Sequence, residues 1–263
     1  MKYTFQVCVI ISFICLPLLQ TVNAGILVTE KVIANGKKNL SQPAFTEAAD
    51  ENTPLGAAGS YLLTGNVALE NSVKTTILRS INTAVDNLPN AKGLYTDISA
   101  QELYNTLLIY DLMPEKNVFS ETEITSLRDH LKFILQFYLD SENYPWEDDR
   151  WCLGAAAMRI VASCVLYSFN FPDDPDADNL RSTSMQYFEK NLSDSIDDFG
   201  AWITDSPGSA DEALEYLIIT AKAFRNAGIF DPFSDSRLRK LLVYEMNLLP
   251  PQQSLLIRGK FMI

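Results

Sequence analysis

Across residues 61–249 apolar side chains recur at helical spacing with few breaks, and no stretch of any length alternates apolar with polar residues. A chain patterned this way has helices to bury against helices and no sheet to bury them against. Val67, Leu69, Val73, Ile77, Leu78, Ile81 and Val85 mark one helix, broken at 87–93. Leu103, Leu107, Leu108, Tyr110, Leu112 and Met113 mark a second, stopped by Pro114. Ser120 and Glu123 have the spacing of a capping box, ahead of a third helix carrying Ile124, Leu127, Leu131, Ile134, Leu135, Tyr138 and Leu139. A strongly apolar helix follows at about 151–169, then an amphipathic one to about 195. Two more lie near 209–227 and 234–249, the last bounded by Pro232 and by Pro250-Pro251.

Loops of mostly 6–15 residues between seven helices predict antiparallel helical hairpins. The apolar helices at 151–169 and 210–226 fit an inner layer, and the amphipathic ones at 120–139 and 177–195 an outer layer. The expected fold is therefore all-α. An α/α toroid, a plain bundle and an α-solenoid would all read this way, although no fixed repeat period favours the solenoid.

Residues 1–24 read as a secretory leader: Lys2, the apolar run VCVIISFICLPLL, then Val22 and Ala24 at −3 and −1 of a cleavage after Ala24. The apolar run is shorter than the ~20 residues a bilayer span needs. This predicts a secreted or periplasmic protein with no membrane partner. Residues 25–60 mix Gly, Ser, Thr, Asn and Pro with short apolar pieces and read as an irregular lead-in. Residues 61–251 form the helical domain, and 252–263 an apolar tail that looks like the start of a further segment.

The formal charge of −12 argues against nucleic acid and anionic membranes as partners. It leaves room for an anionic polysaccharide met by a local basic patch. Outside the leader only Cys152 and Cys164 remain. Twelve residues apart on one helix they would stand about 18 Å from each other, too far to bridge, so both are expected reduced and buried. His130 is the only histidine and lies on an amphipathic helix, so a surface role is expected of it and no transition-metal set is present. No cofactor is expected.

Polar loops with aromatic residues precede two of the apolar helices. Trp146 and Trp151, with Tyr144, flank Asp149 and Arg150; Trp202 precedes Asp205 and Ser209. Exposed aromatic faces there would stack on sugar rings, whereas buried ones would plug helix ends. Glu147, Asp148 and Asp149 fit an acidic cap on the following helix, and Asp173, Asp174 and Asp176 likewise read mostly as cap and solvated surface. Asp149 with Asp205 could alternatively serve as the carboxylate pair of a glycosidase.

Three segments taken in order resemble the helical domain of the heparinase II/III-like and alginate-lyase-like polysaccharide lyases. They are AGSYLLTGNVALENSVKTTIL with LLIYDLMPEKNVFSETEITSLRDHLKFIL, then WEDDRWCLGAAAMRIVASCVLYSFNFPDDPDADNL, then the stretch from Gly200-Ala201-Trp202 to Pro251. The resemblance covers about 55–257. It implies an incomplete α/α toroid lining a cleft for acidic, uronate-containing polysaccharide, followed in complete members by a β-domain. It also implies β-elimination, with an Asn before the Trp-bearing inner helix neutralising the substrate carboxylate and a loop Tyr moving protons.

This chain departs from that pattern. Arg150 stands where the Asn would, before Trp151. The Gly-x-Trp-x-Glu loop falls on Gly200, Trp202 and Thr204 with Asp205 next, and the loop Tyr falls near Gly208-Ser209. Arg pairs well with a carboxylate. Loss of a positioned acid or base removes about 10²–10⁴-fold in rate. The expectation is a lyase-like domain that binds through Trp146, Asp149, Arg150, Trp151, Trp202, Asp205 and Ser209, with its own catalysis impaired. The alternatives are a non-catalytic carbohydrate-binding protein and a toroid glycosidase.

Overall fold

A computed structural model describes residues 25–39, 54–90, 98–113, 118–144, 146, 154–204 and 207–248. Among them are nine α-helices and no strand. In chain order they are α1 (Glu30–Asn39), α2 (Pro54–Thr64), α3 (Val67–Asn87), α4 (Ile98–Leu112), α5 (Glu121–Leu139), α6 (Ala155–Asn170), α7 (Ala177–Asp194), α8 (Pro207–Asn226) and α9 (Ser236–Leu248). The leader at 1–24 and the tail at 252–263 lie outside the described residues.

The helices sort into two layers by burial. In α6, thirteen of sixteen residues are buried, and in α4 ten of fifteen. Only four of twenty-one are buried in α3 and five of nineteen in α5. The inner layer is α2, α4, α6 and α8, each packed on the next; α3, α5, α7 and α9 lie outside. Ile77, Leu103, Leu107, Leu131, Leu135, Leu166, Leu217 and Phe224 belong to one continuous core.

Polar contacts give the helix directions. Asp111 and Asn226, in the last turns of α4 and α8, both bond the segment at 26–27, and Asn170, in the last turn of α6, bonds Asp111. Tyr104, Arg159, Glu215 and Tyr216, from the first halves of the same helices, meet each other. The three inner helices therefore run parallel, and α5 and α7 carry the chain back between them.

Local chemistry sets several boundaries. Ser120 Oγ accepts from Glu123 N at 3.3 Å while Glu123 accepts from Ser120 N at 2.8 Å, which is the capping box expected ahead of α5. Lys74 on α3 donates to the same Glu123 carboxylate at 2.7 Å and to the Val118 carbonyl at 3.0 Å, joining the two outer helices. That bond and the two from Ser120 hold the Glu123 carboxyl down at about 2. Cys164 is buried and free, and desolvation pushes its thiol up to about 12. Cys152 lies outside the described residues.

Two expectations are corrected. Residues 25–60 are not an irregular lead-in throughout, because they contain α1 and the start of α2. Helix α1 has Thr29 Oγ1 accepting from Val32 N at 3.4 Å, Glu30 in its first turn and Lys37 and Lys38 in its last, which suits the helix dipole. In α2, Pro54 occupies the first position, and packing of Ala57, Ala58, Tyr61 and Leu62 overrides the low helix preference of Gly56 and Gly59. The second correction concerns the acidic run before α7. Asp174 is not a solvated cap; it is buried, accepting from Lys132 at 2.9 Å and from the Tyr167 hydroxyl at 2.9 Å. Asp176 stands at the N-cap position of α7, but its carboxylate pairs with Lys132 at 2.7 Å instead of capping.

Candidate functional site

The N-terminal ends of α4, α6 and α8 open at one end of the molecule, with the loops around Trp146 and Trp202. The best-defined polar group there was not singled out by the sequence. Tyr104 on α4 donates its hydroxyl to Glu215 on α8 at 3.0 Å, and its ring meets Tyr216 edge-on at 4.8 Å. Arg159 on α6 donates through Nε to the Tyr216 hydroxyl at 2.7 Å. Its guanidinium lies 5.3 Å from the Tyr216 ring centre, and Nη2 is 3.5 Å from Glu212. Arg159 is buried, Glu215 partly buried and Glu212 exposed, so the cluster runs from the core outward.

Burial dominates the electrostatics. It pushes the Tyr216 hydroxyl up to about 12, even though Arg159 pulls the other way, and raises Tyr104 well above its ordinary value. Neither phenol is then a base at neutral pH. Burial likewise raises the Glu215 carboxyl, opposed by the Tyr104 hydrogen bond and by Arg159. The arrangement therefore suits recognition better than proton abstraction: a buried cation that is partly used, two protonated phenols and a carboxyl biased toward neutrality.

The loop ahead of α8 is a tight hairpin. Ile196 and Trp202 form an antiparallel bridge, Ile203 N donates to Ser195 O at 2.9 Å, and Asp197 Oδ1 accepts from Phe199 N and Ala201 N at 2.9 and 2.8 Å. Gly200 has φ +93°, and a Cβ there would lie 2.5 Å from the Lys240 carbonyl oxygen, so the loop sits against α9 only with glycine at this position.

This hairpin buries Trp202, whose Nε1 has no hydrogen-bond partner among the described residues. It leaves Phe199 85% exposed and Ile203 59% exposed.

The expected binding residues divide accordingly. Trp146 is a core residue: its Nε1 donates to Tyr138 O at 2.6 Å, and its ring lies 4.8 Å from Tyr144 and 4.4 Å from Tyr187. Neither Trp146 nor Trp202 presents an open face for a sugar ring, because each plugs a helix end against the core. Asp149, Arg150, Trp151 and Asp205 lie outside the described residues. Ser209 falls in the first turn of α8. His130 lies on the outer helix α5 beside a shallow groove lined by Glu121, Thr125 and Asp129, away from the cluster.

Sequence reasoning missed Arg159, Tyr104, Glu215 and Tyr216 because each sits inside an apolar helix. The available signal was a charged residue within AAAMRIVASC and within ALEYLIITA. It also passed over Phe199, which does expose its ring. Among the described residues no group of three or more His, Cys, Asp and Glu side chains is placed to hold a metal ion. No protein-family model, curated protein or solved structure matches the chain.

Proposed function

We propose that this protein is an exported helical domain that binds acidic, uronate-containing polysaccharide at the end formed by the N-termini of α4, α6 and α8. Its two helical layers would form part of an incomplete α/α toroid of the polysaccharide-lyase kind. The observation that carries the reading is the Arg159–Tyr216–Tyr104–Glu215 cluster, drawn from the first halves of three parallel inner helices, with a guanidinium at its centre that can meet an anion. Among the described residues Arg159 is bonded through Nε to Tyr216 and paired through Nη2 with Glu212 at 3.5 Å, and it acts electrostatically on Glu215, so a ligand carboxylate would join this set by taking the exposed side of the guanidinium from Glu212. The exposed Phe199 ring offers a sugar-stacking face on the neighbouring loop. The Trp202 Nε1–H, buried beneath the same loop without a partner among the described residues, would sense a ligand there through movement of the loop. With the phenols held protonated, the reading is of a binding domain without catalysis of its own.

Calorimetric titration with an oligouronate, and with a neutral oligosaccharide of equal length, tests this. The acidic ligand should bind and the neutral one should bind at least tenfold more weakly. Phe199→Ala, on an exposed loop, should weaken binding about 5–50-fold without changing Tm, as loss of one stacking aromatic does. No binding at millimolar oligouronate would remove the proposal.

A further inference from the structure

The opposite end of the inner layer is built around one residue. Asp111, fully buried in the last turn of α4, accepts from Ile26 N at 2.8 Å, from Leu27 N at 3.0 Å and from Asn170 Nδ2 at 3.1 Å. Asn226, ending α8, donates to Ile26 O at 2.6 Å and Leu27 O at 3.3 Å. The backbone of Gly25 lies so close that a Cβ there would collide with both the Asp111 carbonyl oxygen and its carboxylate. The three parallel helices also direct their C-terminal, negative dipole ends at this spot. A carboxylate buried at three negative helix ends favours a cation beside it.

Gly25 is also the residue that follows the Val22-x-Ala24 cleavage signal. We propose that cleavage after Ala24 turns the Gly25 nitrogen into a partly buried ammonium that pairs with Asp111, so that leader removal completes the mature fold. This rests on the leader reading given above. The step is hydrolysis: water adds across the Ala24–Gly25 amide, the Ala24 carbonyl carbon takes the oxygen and leaves as a carboxylate, and the Gly25 nitrogen takes the protons. Before cleavage the same nitrogen is a neutral amide with no charge to offer Asp111. The precursor is thus the less stable form, which suits a chain exported before it folds. Glycine is required at position 25 because any side chain would occupy the place of the carboxylate.

Two measurements separate the parts. Intact mass and N-terminal sequencing of the exported chain should give Gly25 as the first residue; any other start overturns the proposal together with the leader reading. The recombinant chain beginning at Gly25 is then compared in thermal unfolding with the same chain beginning at Ala24. The one-residue extension should lower Tm by about 5 °C or more, as expected for a buried charge that loses its partner. Asp111→Asn should abolish that difference. Equal Tm values for the two starts overturn the ion pair while leaving the leader reading intact. Should Asp111→Asn not fold, selective acetylation of the Gly25 amine serves instead: it should lower Tm as the extension does, and an unchanged Tm overturns the pairing.

Discussion

The two ends of the parallel inner helices are built from the same materials to opposite effect. At the C-terminal end Asp111 and Asn226 bond the backbone at 26–27, about 85 and 200 positions away in the chain, and Asn170 bonds Asp111. That end is closed and structural. At the N-terminal end Tyr104, Arg159, Glu215 and Tyr216 satisfy one another only in part, and the cluster reaches solvent at Glu212. The contrast teaches that a buried polar group is evidence of function only after its partners are counted. Asp111 is more deeply buried than Glu215, but its oxygens hold the fold together.

The largest expected effect tests the closed end. Asp111→Ala strips the acceptor from two backbone N–H groups and from Asn170, and should cost about 3–5 kcal/mol in urea unfolding. A loss under 1 kcal/mol would mean that the two ends do not differ as described. Gly200→Ala comes next. It forces a side chain into a left-handed backbone against the Lys240 carbonyl and should cost about 2 kcal/mol. A neutral result would show that the Trp202 hairpin is not held against α9.

The open end should behave in the opposite sense. Glu215→Gln keeps an acceptor for Tyr104 and removes a carboxyl whose burial disfavours its charge. Because the folded carboxyl titrates above the unfolded one, ionisation of Glu215 costs stability once pH exceeds its ordinary value near 4.5. The substitution should therefore raise Tm at pH 7 by about 2–4 °C, equivalent to about 1 kcal/mol in a chain of this size. A Tm decrease would mark Glu215 as a structural ion-pair partner like those of the closed end.

The smallest effect belongs to the outer layer, as a control on both ends. Glu123 is held at about 2, so its contribution is complete above its ordinary value of 4.5 and is lost as pH falls from there toward 2. Glu123→Gln should flatten that part of the acid-unfolding profile and leave ligand binding unchanged.

Much of the architecture was legible in the sequence because helical period and capping chemistry are local. Ser120 and Glu123 announced the start of α5, and the continuous apolar run of α6 announced an inner helix. Helix α2 was hidden because Gly56 and Gly59 lower its intrinsic preference and only packing restores it. The polar cluster was hidden for a different reason. Arg159 and Glu215 are each isolated within an apolar helix, and what gives them meaning is a neighbour 56 residues away. The tryptophans were conspicuous as loop aromatics, yet Trp146 turned inward because its Nε1 finds the Tyr138 carbonyl as α5 ends. Phe199, between the two bridged ends of the Ile196–Trp202 hairpin, faces solvent because the turn carries it away from the core.

The most direct test of the account is a ¹H–¹⁵N titration of the folded protein with an oligouronate, following indole and backbone N–H signals. Trp202→Phe would assign the Trp202 indole signal. Binding at the N-terminal end should shift that signal and the amides around Arg159, Phe199 and Tyr216, with those of Ile26, Leu27, Asp111 and Asn226 unmoved. Shifts confined to the Asp111 end, or none at saturating ligand, would contradict it.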